Sequence, residues 1–448
     1  MSIKNKINLQ KNSVYTAKVV DFGNNGEGIC KIDGQTVFVP FAIVGEEIEF
    51  VIILVKPSFA IGKLLSVIKT SPNRVSAPCQ YFGKCGGCQL QHMTYASQLK
   101  FKQNLVKNSL QKYAGYTGDV QPVLASDSEY NYRNKFAFPV EEVNGELVVG
   151  MYRTASHNIV PIAECKISLE SKIAIEAFLS FAKQQNLHAY SAQNSTGVRH
   201  IVCRIIEGSI LFTIVSTSNI SGTEVLQKLL QTKFKNVSVV VNINKKPNNV
   251  ILGEKDIVCS GCGELKVEEY GLSYPVGVHS FMQVNTPVKH KLYNLVLQQI
   301  SNGDNVIDAY SGVGVLSSII AKKASHVYAI EIVKQAVENA ENLKAQSAVV
   351  NLTNICGDCK EELPKICKKL SNFVLVLDPP RKGCDSAVLK AALEASPTKI
   401  IYISCNPATL ARDLAVLMPA YNIELVQPAD MFPQTANVET LVVLTKKA

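Results

Sequence analysis

Near the C-terminus, three residues of different chemistry end up beside short apolar runs. The stretch IIYISCNP puts Cys405 at the mouth of a β-branched run, and Phe373 to Leu377 leads into Asp378-Pro379-Pro380-Arg381. If both runs are strands of a wound α/β sheet, the groups at their carboxyl ends face the ligand crevice. A thiol, a carboxylate and a guanidinium then surround one pocket, an arrangement that suits a cysteine nucleophile. A lone cysteine in a core most often only packs, so the reading depends on the rest of the chain.

A cofactor pattern supports it. The block VIDAYSGVGVLS reads as a strand, an acidic residue, then Gly312 and Gly314 at a strand-to-helix turn. Glycine there lets a ligand approach the backbone. The strand VYAIEI ends in Glu331, where a carboxylate accepts hydrogen bonds from ribose hydroxyls. The third glycine of a dinucleotide fingerprint is missing. The spacing suits S-adenosylmethionine, which has no pyrophosphate to cradle. Asp358 after the next strand and Asp378 after the fourth complete a series of acids at strand ends, which a ligand-free sheet does not need.

A second cluster of chemistry lies upstream. Cys79, Cys85 and Cys88 sit close together in CQYFGKCGGCQLQH, and Cys165 follows much later. Gly86 and Gly87 allow the tight turn of a metal-thiolate loop. Four thiolates suit zinc or an iron–sulfur cluster, and spacing alone leaves the two even. Cys259 and Cys262 form a further Cys-x-x-Cys, and pairing with Cys356 and Cys359 is a weaker possibility because the pairs fall in different units.

The elements that must position these groups fall into three textures. Val14 to about Thr70 alternates short strands with Asn24-Asn25-Gly26 and Asp33-Gly34 turns, the pattern of a small OB-like barrel. Residues 71–278 are mixed α and β and carry the cysteine cluster, with 92–126 a candidate to pack on the last unit. From 279 onward, strands and helices alternate in the βαβ manner. Strands are expected at Asn305–Ala309, His326–Ile332, Val349–Ile355, Phe373–Leu377, Lys399–Ser404 and Val438–Leu444. The fold class is therefore α/β, a doubly wound, Rossmann-like sheet behind an OB-like barrel and a mixed α+β unit.

Bulk properties set limits on partners. The 448 residues carry a formal charge of +9, and Ser71 to Gly118 contains no Asp or Glu. Arg74, Lys84, Lys100, Lys102, Lys107 and Lys112 are interleaved there with Tyr81, Phe82, Tyr95, Phe101, Tyr113 and Tyr116, which suits a polyanion with exposed bases. No run is apolar and long enough to span a bilayer, and Lys4, Lys6 and Lys11 make the start too polar for a signal peptide. A cytoplasmic location follows as the expectation. Thirteen cysteines in that compartment argue for metal or catalytic use over disulfides.

Taken together, these motifs resemble the bacterial RNA uracil-C5-methyltransferases, and most closely their 23S ribosomal RNA branch. CGGCQLQH with Cys79 and Cys165, then SFMQVN, DAYSGVG, AIEI, DPPR, ISCNPATLARD and MFPQTANVET occur in the family's order over nearly the whole length. The resemblance implies a TRAM-type barrel and a 4Fe–4S cluster on Cys79, Cys85, Cys88 and Cys165. It places Gln283, Tyr310, Glu331 and Asp378 at S-adenosylmethionine, Cys405 as nucleophile and Glu439 as general base; the strand-end position of Asp378 and Arg381 suggests that they orient the uracil edge. RNA is the implied partner, 23S ribosomal RNA before transfer RNA, with no DNA, no membrane and a monomeric enzyme. Some activation of Cys405 by its surroundings is expected. Two departures stand out: Gln434 and Asn437 replace the histidines common in the last motif, and Val315 follows the second glycine.

Two other readings compete. An amino-group methyltransferase places an aromatic after paired prolines, where this chain has Arg381, and needs no cysteine nucleophile. A non-catalytic iron–sulfur RNA-binding protein would have no use for Cys405 and Glu439 together.

Overall fold

The N-terminal stretch alternates buried and exposed residues, which closes it on itself. In the computed structural model, which describes residues 9–191, 193 and 195–447, five strands form a closed barrel. They are β1 (Val14–Phe22), β2 (Gly28–Ile32), β3 (Gln35–Val39), β4 (Glu47–Val55) and β5 (Phe59–Lys69), in the order β1-β2-β3-β5-β4. Lys4 and Lys6 lie outside the described residues. Asp33 and Gly34 take φ of 47° and 85°, the paired positive values a two-residue hairpin turn demands. Ile48, Phe50 and Ile52 of β4 fill the barrel. Buried Glu46 ties it to the next segment, accepting from Arg74 Nε at 2.6 Å, Arg74 Nη2 at 2.7 Å and the Ile43 amide at 2.8 Å.

The cysteine loop follows, then α1 (Tyr95–Ala114), which ends where Gly115 takes φ 66°. Val106 and Leu110 of α1 join the C-terminal core with Leu410, Ala411 and Leu414. The chain then runs along the last sheet, the Gln121 amide donating to the Val426 carbonyl at 3.0 Å and that of Leu124 to Pro428 at 2.9 Å. Residues 95–124 thus share a core with the C-terminal layer.

The central unit comprises β6 (Lys135–Val143), β7 (Glu146–Tyr152), β8 (Ile159–Pro161), α2 (Ser171–Gln184), β9 (Val198–Ile206), β10 (Ser209–Ser216), α3 (Thr223–Gln231), β11 (Asn236–Ile243) and β12 (Lys255–Ser260). Its sheet runs β12-β11-β10-β9-β6-β7-β8, and the two helices bury Phe178, Phe181, Leu226 and Leu230 against it. A hairpin, β13 (Glu264–Glu269) and β14 (Leu272–Gly277), leads to the last domain.

That domain alternates as its sequence texture requires: α4 (Thr286–Gln299), β15 (Asn305–Ala309), α5 (Val315–Ala321), β16 (His326–Glu331), α6 (Lys334–Gln346), β17 (Leu352–Cys356), α7 (Cys359–Cys367), β18 (Val374–Leu377), α8 (Ser386–Ala395), β19 (Lys399–Ser404), α9 (Pro407–Leu417), β20 (Tyr421–Ala429) and β21 (Glu439–Lys446). The sheet order is β17-β16-β15-β18-β19-β21-β20. The first five strands are parallel, and β21 inserts antiparallel between β19 and β20. Strand order reverses at β15 and β18, so the crevice opens beyond their carboxyl ends. β20 was not expected from the sequence. It is an edge strand carrying Glu424, Gln427 and Pro428, and such residues are tolerated at an edge but mask the strand pattern.

Candidate active site

One rim of the C-terminal sheet collects the acids, the thiol and the glycine turn. β15 delivers Tyr310 at φ 68°, Gly312 at φ 57° and Gly314 at φ 75°. A Cβ on Gly312 would meet no atom within 4 Å, so that side of the turn opens outward. At Gly314 a Cβ would come within 2.8 Å of Ala340, so close packing of α6 demands the glycine there. Glu331 braces the turn: its Oε2 accepts from the Gly312 amide at 2.9 Å and its Oε1 from the Val333 amide at 2.8 Å.

Asp358 caps α7, accepting from the Lys360 amide at 3.1 Å, and that bond holds its carboxyl below the ordinary range. Gln283 lies between β14 and α4, its carbonyl accepting from Asn134 Nδ2 at 3.1 Å. Asp308, the acidic residue of the glycine block to which the sequence assigned no role, is buried inside β15 and accepts from Ser317 Oγ at 2.5 Å. Burial pushes its carboxyl up to about 7, with Glu331 adding repulsion. An acid among Val306, Ile307 and Ala309 was the available signal.

The second half of the rim holds Cys405 and Glu439. β19 pairs with β21 up to Ser404 opposite Thr440. The next position on each strand is Cys405 and Glu439, so reversal of β21 brings a residue 34 positions downstream beside the thiol. Asn406 caps α9 by accepting from the Ala408 amide at 3.0 Å, and Pro407 starts that helix, which fixes where Cys405 leaves the sheet. The Arg381 carbonyl accepts from Asn406 Nδ2 at 3.3 Å and Thr409 Oγ1 at 3.2 Å, tying the two strand-end loops together.

The electrostatics of this corner are those of crowded acids. Burial pushes Glu439 up to about 8; Asp378 pushes the same way and Arg381 opposes. Asp378 is itself raised to about 7 by burial and by Asp308. Cys405 is also raised, by burial first and then by Glu439; Arg381 pulls it back and Asp378 adds to the rise. The expected activation of the thiol is therefore not found: desolvation and two neighbouring carboxyls outweigh one guanidinium. A half-buried thiol beside a buried carboxyl that shares its proton demand can add to a carbon and have a proton removed nearby.

The four upstream cysteines converge from two segments. Gly86 passes so close to the end of β7 that a Cβ would lie 3.1 Å from the Thr154 nitrogen, and its amide donates to the Tyr152 carbonyl at 2.9 Å. The Gly87 amide donates to Cys85 Sγ at 3.3 Å. Cys79, Cys85 and Cys88 are near enough to Cys165 for each to be affected by its charge. Among the described residues, however, no three His, Cys, Asp or Glu side chains close on a point where a single metal ion would sit, here or around Cys259, Cys262, Cys356 and Cys359. The donor set at the tetrad is all sulfur, which by its chemistry suits zinc or an iron–sulfur cluster.

The basic segment is only partly a binding face. Lys84, Lys100, Lys107 and Lys112 are exposed. Lys102 is fully buried and pairs with Asp430 at 2.5 Å, and Arg74 is engaged by Glu46. Of the interleaved aromatics Tyr113 is exposed, while Phe101 is buried and Phe82 stacks on His92. Lys102, one of the cations offered for a polyanion, lies on the face of α1 that carries buried Gln98, Val106 and Ser109, and the fold packs it against the loop after β20.

Comparison with known proteins adds a family to this geometry. Residues 94–447 match the tRNA (uracil-5-)-methyltransferase family, and residues 8–65 match the TRAM domain. An uncharacterized RNA methyltransferase of Clostridium acetobutylicum is 38% identical over 455 residues, covering 98% of each chain. Another from Clostridium tetani is 39% identical over 455 residues, covering 99% of this chain and 98% of its own. Among solved structures, the Pyrococcus abyssi tRNA (uracil-54, C5)-methyltransferase, in complex with S-adenosyl-L-homocysteine, superposes with TM-score 0.77. That match covers 96% of this chain and 99% of the other at 24% identity, a likeness of fold. No helix among the described residues is long and apolar enough to cross a membrane.

Proposed function

We infer the course of the reaction from one premise: the chain belongs to the tRNA (uracil-5-)-methyltransferase family, carries a TRAM domain, and is an S-adenosylmethionine-dependent RNA uracil-5-methyltransferase. We propose Cys405 as its nucleophile and Glu439 as its base. The observation that carries this is the β19–β21 register, which sets the two side by side at the rim of the crevice.

Uracil C5 is too poor a nucleophile to take a methyl group unaided. The Cys405 thiolate adds to C6, and the C5=C6 electron pair moves toward O4 as an enolate. S-adenosylmethionine, when bound, supplies the methyl group that C5 takes up. The Glu439 carboxylate removes the remaining C5 proton, the electron pair restores C5=C6, and the Cys405 sulfur departs. A good nucleophile that is also a good leaving group favours Cys over Ser. Gln283, Tyr310, Gly312, Glu331, Asp358 and Asp378 would hold the cofactor, the outward-opening Gly312 admitting it to the backbone. Asp378 and Arg381 would orient the uracil edge. A base inside a helix hides C5 and C6, so the target is an unpaired or flipped uridine.

The proposed substrate is a uridine of 23S ribosomal RNA, on the combination of a TRAM barrel with four cysteines. Those cysteines, Cys79, Cys85, Cys88 and Cys165, would hold a 4Fe–4S cluster that organises structure, since methyl transfer moves no net electrons. Transfer RNA is the second reading. It draws support from the Pyrococcus abyssi enzyme, whose likeness spans too much of the chain to leave the barrel out.

Mass spectrometry after incubation with S-adenosylmethionine and ribosomal RNA tests the core of this reading. Wild type should form 5-methyluridine. Glu439→Gln should lose about 10²–10⁴-fold in turnover and hold a protein–RNA adduct mapping to Cys405. Product and adduct with transfer RNA only would select the second reading, and neither with either RNA would refute the mechanism. Anaerobically purified protein should contain iron and sulfide. Cys85→Ser should lose both and be impaired in folding or RNA binding; an unchanged iron content would sink the ligand assignment.

A further inference from the structure

The proposed base has an unusual means of support. The Glu439 side chain is 5% exposed, yet its interactions among the described residues are electrostatic ones with Asp378, Arg381 and Cys405 and not hydrogen bonds. Glu439 opens β21, opposite Ala429 of β20, so its direction is set by backbone: the strand ladder on one side and, on the other, the loop between β20 and β21 that leads into it.

That loop is clasped through one residue. Gln434 is fully buried and holds φ 70°, a conformation a non-glycine residue keeps only where its surroundings over-determine it. Its amide nitrogen donates to Gln98 Oε1 at 3.0 Å, and Gln98 Nε2 donates back to Gln434 Oε1 at 3.0 Å. Its Nε2 donates to Glu129 Oε2 at 3.3 Å. Its carbonyl accepts from the Gln89 and Leu90 amides at 3.1 and 3.0 Å, directly after Cys88. Gln89 returns the contact, its Oε1 accepting from the Ala436 amide at 3.3 Å. One residue thus joins α1, the cysteine loop and the segment before β6 to the loop that ends in Glu439.

We propose that Gln434 is a positioning residue for the base, and that the cysteine loop acts through it as part of the active-site scaffold. This rests on the reading of Glu439 given above. Cys405 is held independently, by β19 and the cap of α9, so loosening the clasp leaves addition to C6 intact. What suffers is removal of the C5 proton, which requires the carboxylate to be aimed at the adduct.

The test follows the Cys405–RNA adduct in full-length protein, using S-adenosylmethionine and total ribosomal RNA, or total transfer RNA where only that is methylated. Gln434→Ala and Gln434→Glu should form the adduct at close to the wild-type rate and resolve it about 10- to 100-fold more slowly, the scale of a displaced catalytic group. Gln434→Glu sets a carboxylate against that of Glu129. Combining it with Glu129→Gln reverses donor and acceptor and should restore resolution. Formation and resolution falling together, resolution at the wild-type rate, or a double variant no better than Gln434→Glu would each overturn the proposal. Should Gln434→Ala fail to fold, Gln434→Glu against the double variant decides. Absence of a persistent adduct in Glu439→Gln would instead count against the base itself.

Discussion

Cys405 and Glu439 are both pushed up by burial; Glu439 adds to the rise at Cys405, Asp378 adds to it at both, and Arg381 opposes it at both. In the proposed reaction both must ionise, so methylation should rise with pH through the neutral range and continue toward about 8, the value to which Glu439 is pushed. A rate–pH profile that is flat from 6 to 9 would contradict the assignment. The same shift has a stability consequence of opposite sense. Glu439, Asp378 and Asp308 keep their protons in the folded chain up to about 8, 7 and 7, well above the ordinary carboxylate range. Between that range and those values the native state binds more protons than the unfolded one, so stability falls as pH rises. Urea midpoints should therefore drop from pH 5.5 to 8.5, and Glu439→Gln should lessen the drop. Residue types and motif order made Cys405 and Glu439 legible. The direction of the thiol's shift was not, because it depends on three neighbours from different strand ends.

At the scale of elements, the decisive feature is β21, the antiparallel strand in a parallel sheet. Its central residues, LVVL, are as apolar as the IIYI of β19, and buried strands of either sense read alike. Only its neighbour relations reveal that its N-terminal end meets the carboxyl end of β19. The loop before it is held by α1 through Gln98 and through Lys102, which donates to Asp430 and, at 3.0 Å, to the Phe432 carbonyl. Both charges of the Lys102–Asp430 pair are fully buried. Lys102→Met should therefore cost about 3–5 kcal/mol by stranding Asp430, and Lys102→Met with Asp430→Leu should recover much of it. Chemical denaturation of the two variants checks this, and equal losses would show that the charge is not what matters.

At the scale of the whole molecule, the barrel, the cysteine loop and α1 form a continuous path to the catalytic rim: Glu46 anchors Arg74, and Gln89 and Gln98 meet Gln434. RNA held by the exposed lysines of this path would lie against elements that support the base. In the cysteine loop and α1, Lys84, Lys100, Lys107 and Lys112 are exposed cations able to face it. Replacing Lys100, Lys107 and Lys112 by Ala should reduce the slope of log affinity against log salt by about 0.7 for each lost contact to single-stranded RNA. Binding measured between 50 and 300 mM salt gives that slope; an unchanged value would place the RNA elsewhere.

The sequence by itself determined the α/β class, the barrel, the glycine turn and the series of acids at strand ends, and it offered Cys405 as the candidate thiol. Those features are local, written in alternation, turn residues and short motifs of fixed spacing. The tertiary structure decided what no local pattern encodes. It reversed β21 and so set Glu439 beside Cys405, and it buried Lys102, which the sequence offered among the cations for a polyanion. It also made Gln434, which in the sequence is only a departure from a motif, the point where four segments meet. Each of these arises from contacts between residues far apart in the chain, and burial and hydrogen bonding at such contacts exist only once the layers have packed.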